Sequence, residues 1–134
     1  MTRKTLTAAL AAAMIGTASL TVPATAGGQI SINLAPANAE QEQAMRVGLG
    51  MYALFHGIQN GGITQNGSGN AAGLMQNGSG NLGVVHQEGS GHNGTLQQNG
   101  NGNACGLFQF GQNTNGHVQQ NGNGGTCATL QFGW

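Results

Sequence analysis

Glutamine returns every eleven residues through the C-terminal half of the chain, at Gln65, Gln76, Gln87, Gln98, Gln109, Gln120 and Gln131. A glycine follows each one two places on, at Gly67, Gly78, Gly89, Gly100, Gly111, Gly122 and Gly133. Five places on stand Asn70, Asn81 and Asn103, with His92, Thr114 and Gly125 in the same place of the other units. Nine places on come Leu74, Val85, Leu96, Leu107, Val118 and Thr129, and Ile63 fills that place ahead of the first full unit. Order and spacing held this long restrict the chain to a repeat architecture, in which each unit packs on its neighbours.

An eleven-residue period also suits a helical hendecad. Two or three glycines per unit exclude that, because each one weakens a helix and they cluster with turn residues. Gly-x-Gly-Asn reads as a turn, since Gly and Asn reach positive φ at little cost. The other seven or so residues, such as "AAGLMQN" at 71–77, make one short strand. Strand side chains alternate, so the regular residues Ala72, Leu74 and Gln76 share one face. That face is expected to point inward. The variable places, among them Ala71, Leu82, Asn93, Ala104, Asn115 and Thr126, are expected to point outward.

One such strand cannot bury a face alone, but two facing each other can. Two units then form one 22-residue rung, and the next rung stacks about 4.8 Å away. The expected fold is all-β: a narrow two-sheet parallel β-solenoid over 58–134. Its buried glutamines need partners, and stacking supplies them, each amide bonding to the one above and below in a ladder. Cys105 and Cys127 test the rung length. They are 22 apart at one inward place, so they should lie on adjacent strands of one sheet, either disulfide-bonded or as inert thiols. Phe110 and Phe132 should stack outside by the same rule.

The first 57 residues follow other rules. Arg3 and Lys4, the apolar Leu6–Val22 and the small-x-small Ala24-Thr25-Ala26 read as a secretory signal peptide over 1–26, cut after Ala26, rather than a membrane anchor. Export makes a disulfide chemically feasible. In the N-terminal segment 27–57, Ile30, Ile32 and Leu34 alternate with polar residues and predict a short strand over 29–34, closed by Pro36. Ala44, Val47, Met51, Leu54 and Ile58 recur at steps of three and four and predict a helix over 38–57, capped by Asn38. Gly48 and Gly50 weaken it.

Charged residues are 4% of the 134. So neutral a chain is poorly suited to nucleic acid, and it lacks the self-repulsion that keeps proteins apart. Only Glu88 lies in the repeats, so a two-carboxylate mechanism has no second member there. No catalytic residue, metal ligand or cofactor is expected. His56, His86, His92 and His117 are scattered and read as solvated surface or turn side chains. The Gly-Ser-Gly elements lack the Gly-Lys-Ser/Thr of a phosphate loop and read as turns.

The repeat resembles that of the curlin family, the subunits of extracellular bacterial amyloid fibres. "QNGSGNAAGLMQ" (65–76) and "QNGNGNACGLFQ" (98–109) carry the likeness, which extends over about 58–134. It departs from the family pattern where Gly83, Gly94, Gly116, Cys105 and Cys127 hold the alanine place. The resemblance implies a secreted structural subunit of a curli-like fibre at the cell surface, serving adhesion and biofilm matrix. It implies copies of itself, other curlin subunits and the outer-membrane curli export machinery as partners. Major subunit and nucleating minor subunit both fit. A soluble solenoid that binds a ligand such as ice or glycan is the competing reading, although outward Thr is rare. A disordered Gly/Asn/Gln tract is a third, opposed by the fixed register.

Overall fold

The computed structural model describes residues 18–21 and 28–134. The signal peptide expected over 1–26 lies outside the described residues, apart from Ala18–Thr21, which forms strand β1. Strand β2 follows at Gln29–Leu34 and helix α1 at Ala39–Phe55. Seven strands come next: β3 (Gly61–Asn66), β4 (Ala71–Asn77), β5 (Leu82–Ser90), β6 (Asn93–Asn99), β7 (Ala104–Gln112), β8 (Asn115–Asn121) and β9 (Thr126–Gly133).

These seven strands alternate between two sheets, and the chain winds as a β-solenoid. One sheet runs β1-β2-β9-β7-β5-β3 and the other β4-β6-β8. Every pairing between repeats is parallel and shifted by 22 residues: Gln65 lies opposite Gln87, Gln87 opposite Gln109, and Gln76 opposite Gln98. Val85, Leu96, Cys105 and Leu107 fill the thin interior, with Ala72, Leu74, Val118 and Cys127 against them. Ile63 points the same way but lies in the end rung, with no strand beyond it, and is 43% exposed.

The turns explain the glycines. Gly89 has φ of 126°, a conformation side chains resist. A Cβ there would also drive into the carbonyl oxygen of Gly111, one turn along the stack. Gly67, Gly78, Gly100, Gly111 and Gly122 share the positive φ, whereas Gly133 lies within β9.

Cys105 and Cys127 sit opposite each other on β7 and β9, joined by a disulfide with Cα atoms 4.5 Å apart. Phe110 and Phe132 stack with ring centroids 5.4 Å apart. The bridge closes a loop of 22 residues, so the double substitution Cys105→Ala/Cys127→Ala should lower stability by about 3 kcal/mol. Urea unfolding measures this, and a loss under about 1 kcal/mol would contradict it.

Two expectations need correction. The helix buries Met45, Leu49 and Ala53, whereas Val47, Met51 and Leu54 of the expected stripe are more than half exposed. The C-terminal half of α1 is apolar on nearly every side, so periodicity could not select a face. What α1 packs on is the second correction. The outward places of the longer sheet are not all free surface. Val84 is fully buried, and Tyr52 packs edge-on against Phe108. On this side the helix forms a third layer. The outward side of β6 and β8 instead carries Asn93, Thr95, Gln97, Asn115, His117 and Gln119.

Candidate functional site

The chemistry of this chain is concentrated in its buried amides. Gln65 Nε2 donates to Gln87 Oε1 at 2.7 Å, Gln87 Nε2 to Gln109 Oε1 at 2.7 Å and Gln109 Nε2 to Gln131 Oε1 at 2.8 Å. On the facing sheet Gln76 donates to Gln98 at 2.9 Å and Gln98 to Gln120 at 3.0 Å. The second Nε2 hydrogen crosses the interior to a backbone carbonyl, as from Gln87 to Ala71 (2.8 Å) and from Gln109 to Asn93 (3.0 Å). Both amide hydrogens are thereby satisfied in the dry interior, where an unpaired one is costly. Among the described residues, no buried side-chain nitrogen or oxygen lacks a partner.

The asparagines lock successive turns. Asn81 Oδ1 accepts from the Asn103 N–H, and Asn103 Oδ1 from the Gly125 N–H, each at 3.0 Å. Asn81 Nδ2 and Asn103 Nδ2 donate to the carbonyls of Gly100 and Gly122. Asn70 does the same for His92 and Gly89. His92 is therefore not a solvated turn residue: it is 1% exposed and takes an asparagine's place. Its Nδ1 accepts from the Thr114 N–H at 3.3 Å, and its Nε2 reaches the Glu88 carbonyl at 3.1 Å. A carbonyl only accepts, so the Nε2–H tautomer fits both contacts.

The two ends of the stack differ. At one end β3 and β4 are each the last strand of their sheet. At the other, β8 is last in its sheet, but β9 is covered by β2, which runs antiparallel to it from Gln29↔Gly133 to Leu34↔Ala128. Gln131, the last donor of its ladder, finds Ser31 Oγ on β2 at 3.1 Å and the Asn115 carbonyl at 3.2 Å. The Gln29 amide donates to the Asn115 carbonyl (3.1 Å) and accepts from its N–H (2.8 Å). Sequence reading placed the strand over 29–34 but assigned no role to Gln29 or Ser31.

The helix is attached at two points that sequence reading also missed. Arg46 Nη2 donates to the carbonyls of Gly102 (2.9 Å) and Gly124 (2.7 Å), spanning two stacked turns, while its Nε bonds Glu42 at 3.3 Å. Arg46 is the only Lys or Arg after residue 4, which was the signal available. Tyr52 O–H contacts His86 Nδ1 at 2.5 Å, and His86 Nε2 lies 3.5 Å from a Glu88 oxygen. A carboxylate, imidazole and hydroxyl in that order suggest a relay. Burial, however, pushes the Tyr52 phenol above its ordinary 10.0, against a smaller lowering by a Thr64 hydrogen bond. A phenol held protonated is no nucleophile, so the contacts act as a clasp between helix and sheet. Beside them lies an apolar cavity of about 370 Å³ between α1 and the sheet, lined by Leu34, Met45, Leu49, Phe108 and Leu130 among others. Among the described residues no three His, Cys, Asp or Glu side chains are grouped to hold a metal ion.

The clasp has a pH consequence. With the folded phenol raised above 10.0, the unfolded chain ionises first. Stability is full below pH 10 and falls as the pH rises from there toward the folded value. The parent protein should lose stability above about pH 10, and Tyr52→Phe should abolish that component. Denaturant midpoints for the two chains between pH 8 and pH 11.5 check it, and parallel curves would contradict it.

No protein-family model, curated protein or solved structure matches the chain.

Proposed function

We propose that the chain is the structural subunit of a secreted, extracellular curli-like amyloid fibre, built by stacking copies end to end and serving adhesion and biofilm matrix. The observation that carries this is the open end made by β3 and β4, where both amide ladders begin. A strand edge recruits further strands unless Lys, Pro or charge blocks it. Residues 58–134 contain no Pro, no Lys or Arg, and Glu88 alone among acids. The curlin-like repeat adds family-level support and implies removal of residues 1–26, the outer-membrane curli export machinery, and other curlin subunits beside copies of itself. Either the major or the nucleating subunit fits this reading, and no catalytic activity is part of it.

The soluble ligand-binding solenoid remains the second reading, favoured by the cover over β9 and the apolar cavity beneath α1. One experiment separates them. The purified protein at micromolar concentration should form fibres that bind thioflavin, seed fresh protein and diffract at about 4.8 Å. A monomer stable for days by analytical ultracentrifugation would favour the second.

A further inference from the structure

The strand β2 occupies the edge where a second copy would attach, and the seven-strand count dictates how that copy must sit. Strands β3 to β9 alternate between sheets, beginning and ending in the same one. The next place along the winding therefore lies beside β8, not beside β9. A second copy in the same orientation would set its β3 on β9 and leave a missing strand next to β8. Rotated by half a turn about the stack, it sets β3 on β8 and β4 on β9, and both sheets continue unbroken. We infer that successive copies attach by this half-turn, with β4 of the incoming copy replacing β2 on β9.

The hydrogen bonds fit this exchange. Gln131 reaches Ser31 at 3.1 Å and Asn115 at 3.2 Å, longer than the 2.8 Å and 3.0 Å that Gln109 makes inside the ladder. Gln76 of an incoming copy carries the Oε1 that Gln131 lacks, and Gln65 does the same for Gln120. Gln29 offers β8 one side-chain amide in place of a strand. Thus β2 imitates the next strand and satisfies the edge less fully. It is held at its start by the Trp134 N–H to the Gly28 carbonyl and by the Trp134 ring, which leaves no room for a Cβ on Gly28.

This inference rests on the fibre reading, and its test separates the two. In the half-turn arrangement Phe132 lies beside Asn77 of the next copy, by the register that pairs Phe110 with Phe132 and Asn77 with Asn99. In the unrotated one it lies beside Asn66. Both Phe132 and Asn77 are exposed, so Phe132→Cys/Asn77→Cys and Phe132→Cys/Asn66→Cys perturb the fold little. Assembled protein is oxidised, and covalent multimers are resolved by denaturing gel and peptide mass. The expected result is a ladder of multimers from the Asn77→Cys pair and none above the single Phe132→Cys control from the other. A companion variant, Ile30→Cys/Phe132→Cys, ties β2 to β9 within one chain, at a directly opposed pair. Oxidised, it should elongate at least about tenfold more slowly than the parent, because attachment requires an open edge. Added reductant should restore its rate to that of parent treated alike. Crosslinks through Asn66→Cys, or fibres without either crosslink, would overturn the half-turn. Elongation of the oxidised tether at the parent rate would overturn the replacement of β2. If the parent forms no fibres, the fibre reading fails and this inference with it.

Discussion

Gln109→Ala should be among the most damaging single substitutions in this protein. Its side chain is fully buried. It accepts from Gln87 and donates to both Gln131 and the Asn93 carbonyl. Removing the amide strips one bond from each of those three groups inside the solenoid, at about 1–3 kcal/mol per unsatisfied group. A total loss of about 4 kcal/mol is expected, a large share of a typical 5–15 kcal/mol stability. Gln109→Met separates the causes, since it restores most of the volume but none of the bonds. It should recover less than half of the loss. Ala71→Ser, at an exposed place, should change stability by under about 0.5 kcal/mol. Denaturant unfolding decides the matter, and equal midpoints for Gln109→Ala and Ala71→Ser would remove the ladder from the account.

Gly89→Ala should act as strongly through the backbone. The residue has φ of 126°, and its new methyl would enter the space of the Gly111 carbonyl. Strain of this kind costs about 1–3 kcal/mol, and the clash adds to it, because the stacked turns cannot separate without breaking ladder bonds on both sides. Gly122 is the control built into the chain. Its φ is 113°, yet a Cβ there meets nothing within 4 Å, since no turn lies beyond it. Gly122→Ala should therefore cost the strain alone. It should nevertheless block fibre growth, where the turn of the next copy would close over it. Equal losses of stability at the two positions would mean that turn stacking contributes nothing.

Sequence alone conveyed the repeat well and its surroundings poorly, for physical reasons. Glutamine every eleven residues has one economical explanation, and the paired rung that explains it is the arrangement observed, with Cys105 opposite Cys127. Periodicity reports which side chains share a face. It does not report what covers that face. Val84 was thus expected outside and is buried. The α1 stripe failed similarly: Val47, Met51 and Leu54 have the correct spacing, but so do Met45, Leu49 and Ala53. His92 looked like a lost asparagine, when imidazole can accept from one turn and donate to another. The strand at 29–34 was visible, but its antiparallel docking on β9 depends on contacts a hundred residues apart in sequence, such as Gln131 to Ser31.

The 22-residue register also sets a grammar for how such a gene can change length. Duplicating 22 codons within the repeats adds a whole rung and returns every later strand to its own sheet. Duplicating 11 preserves the spacing of every glutamine, yet moves every later strand to the opposite side. Phe108, Phe110 and Leu130 would then leave the side that α1 covers, and β9 would no longer meet β2. A motif count would register both events as one more repeat of the same kind. The folded chain reads in pairs, so only even additions keep its meaning.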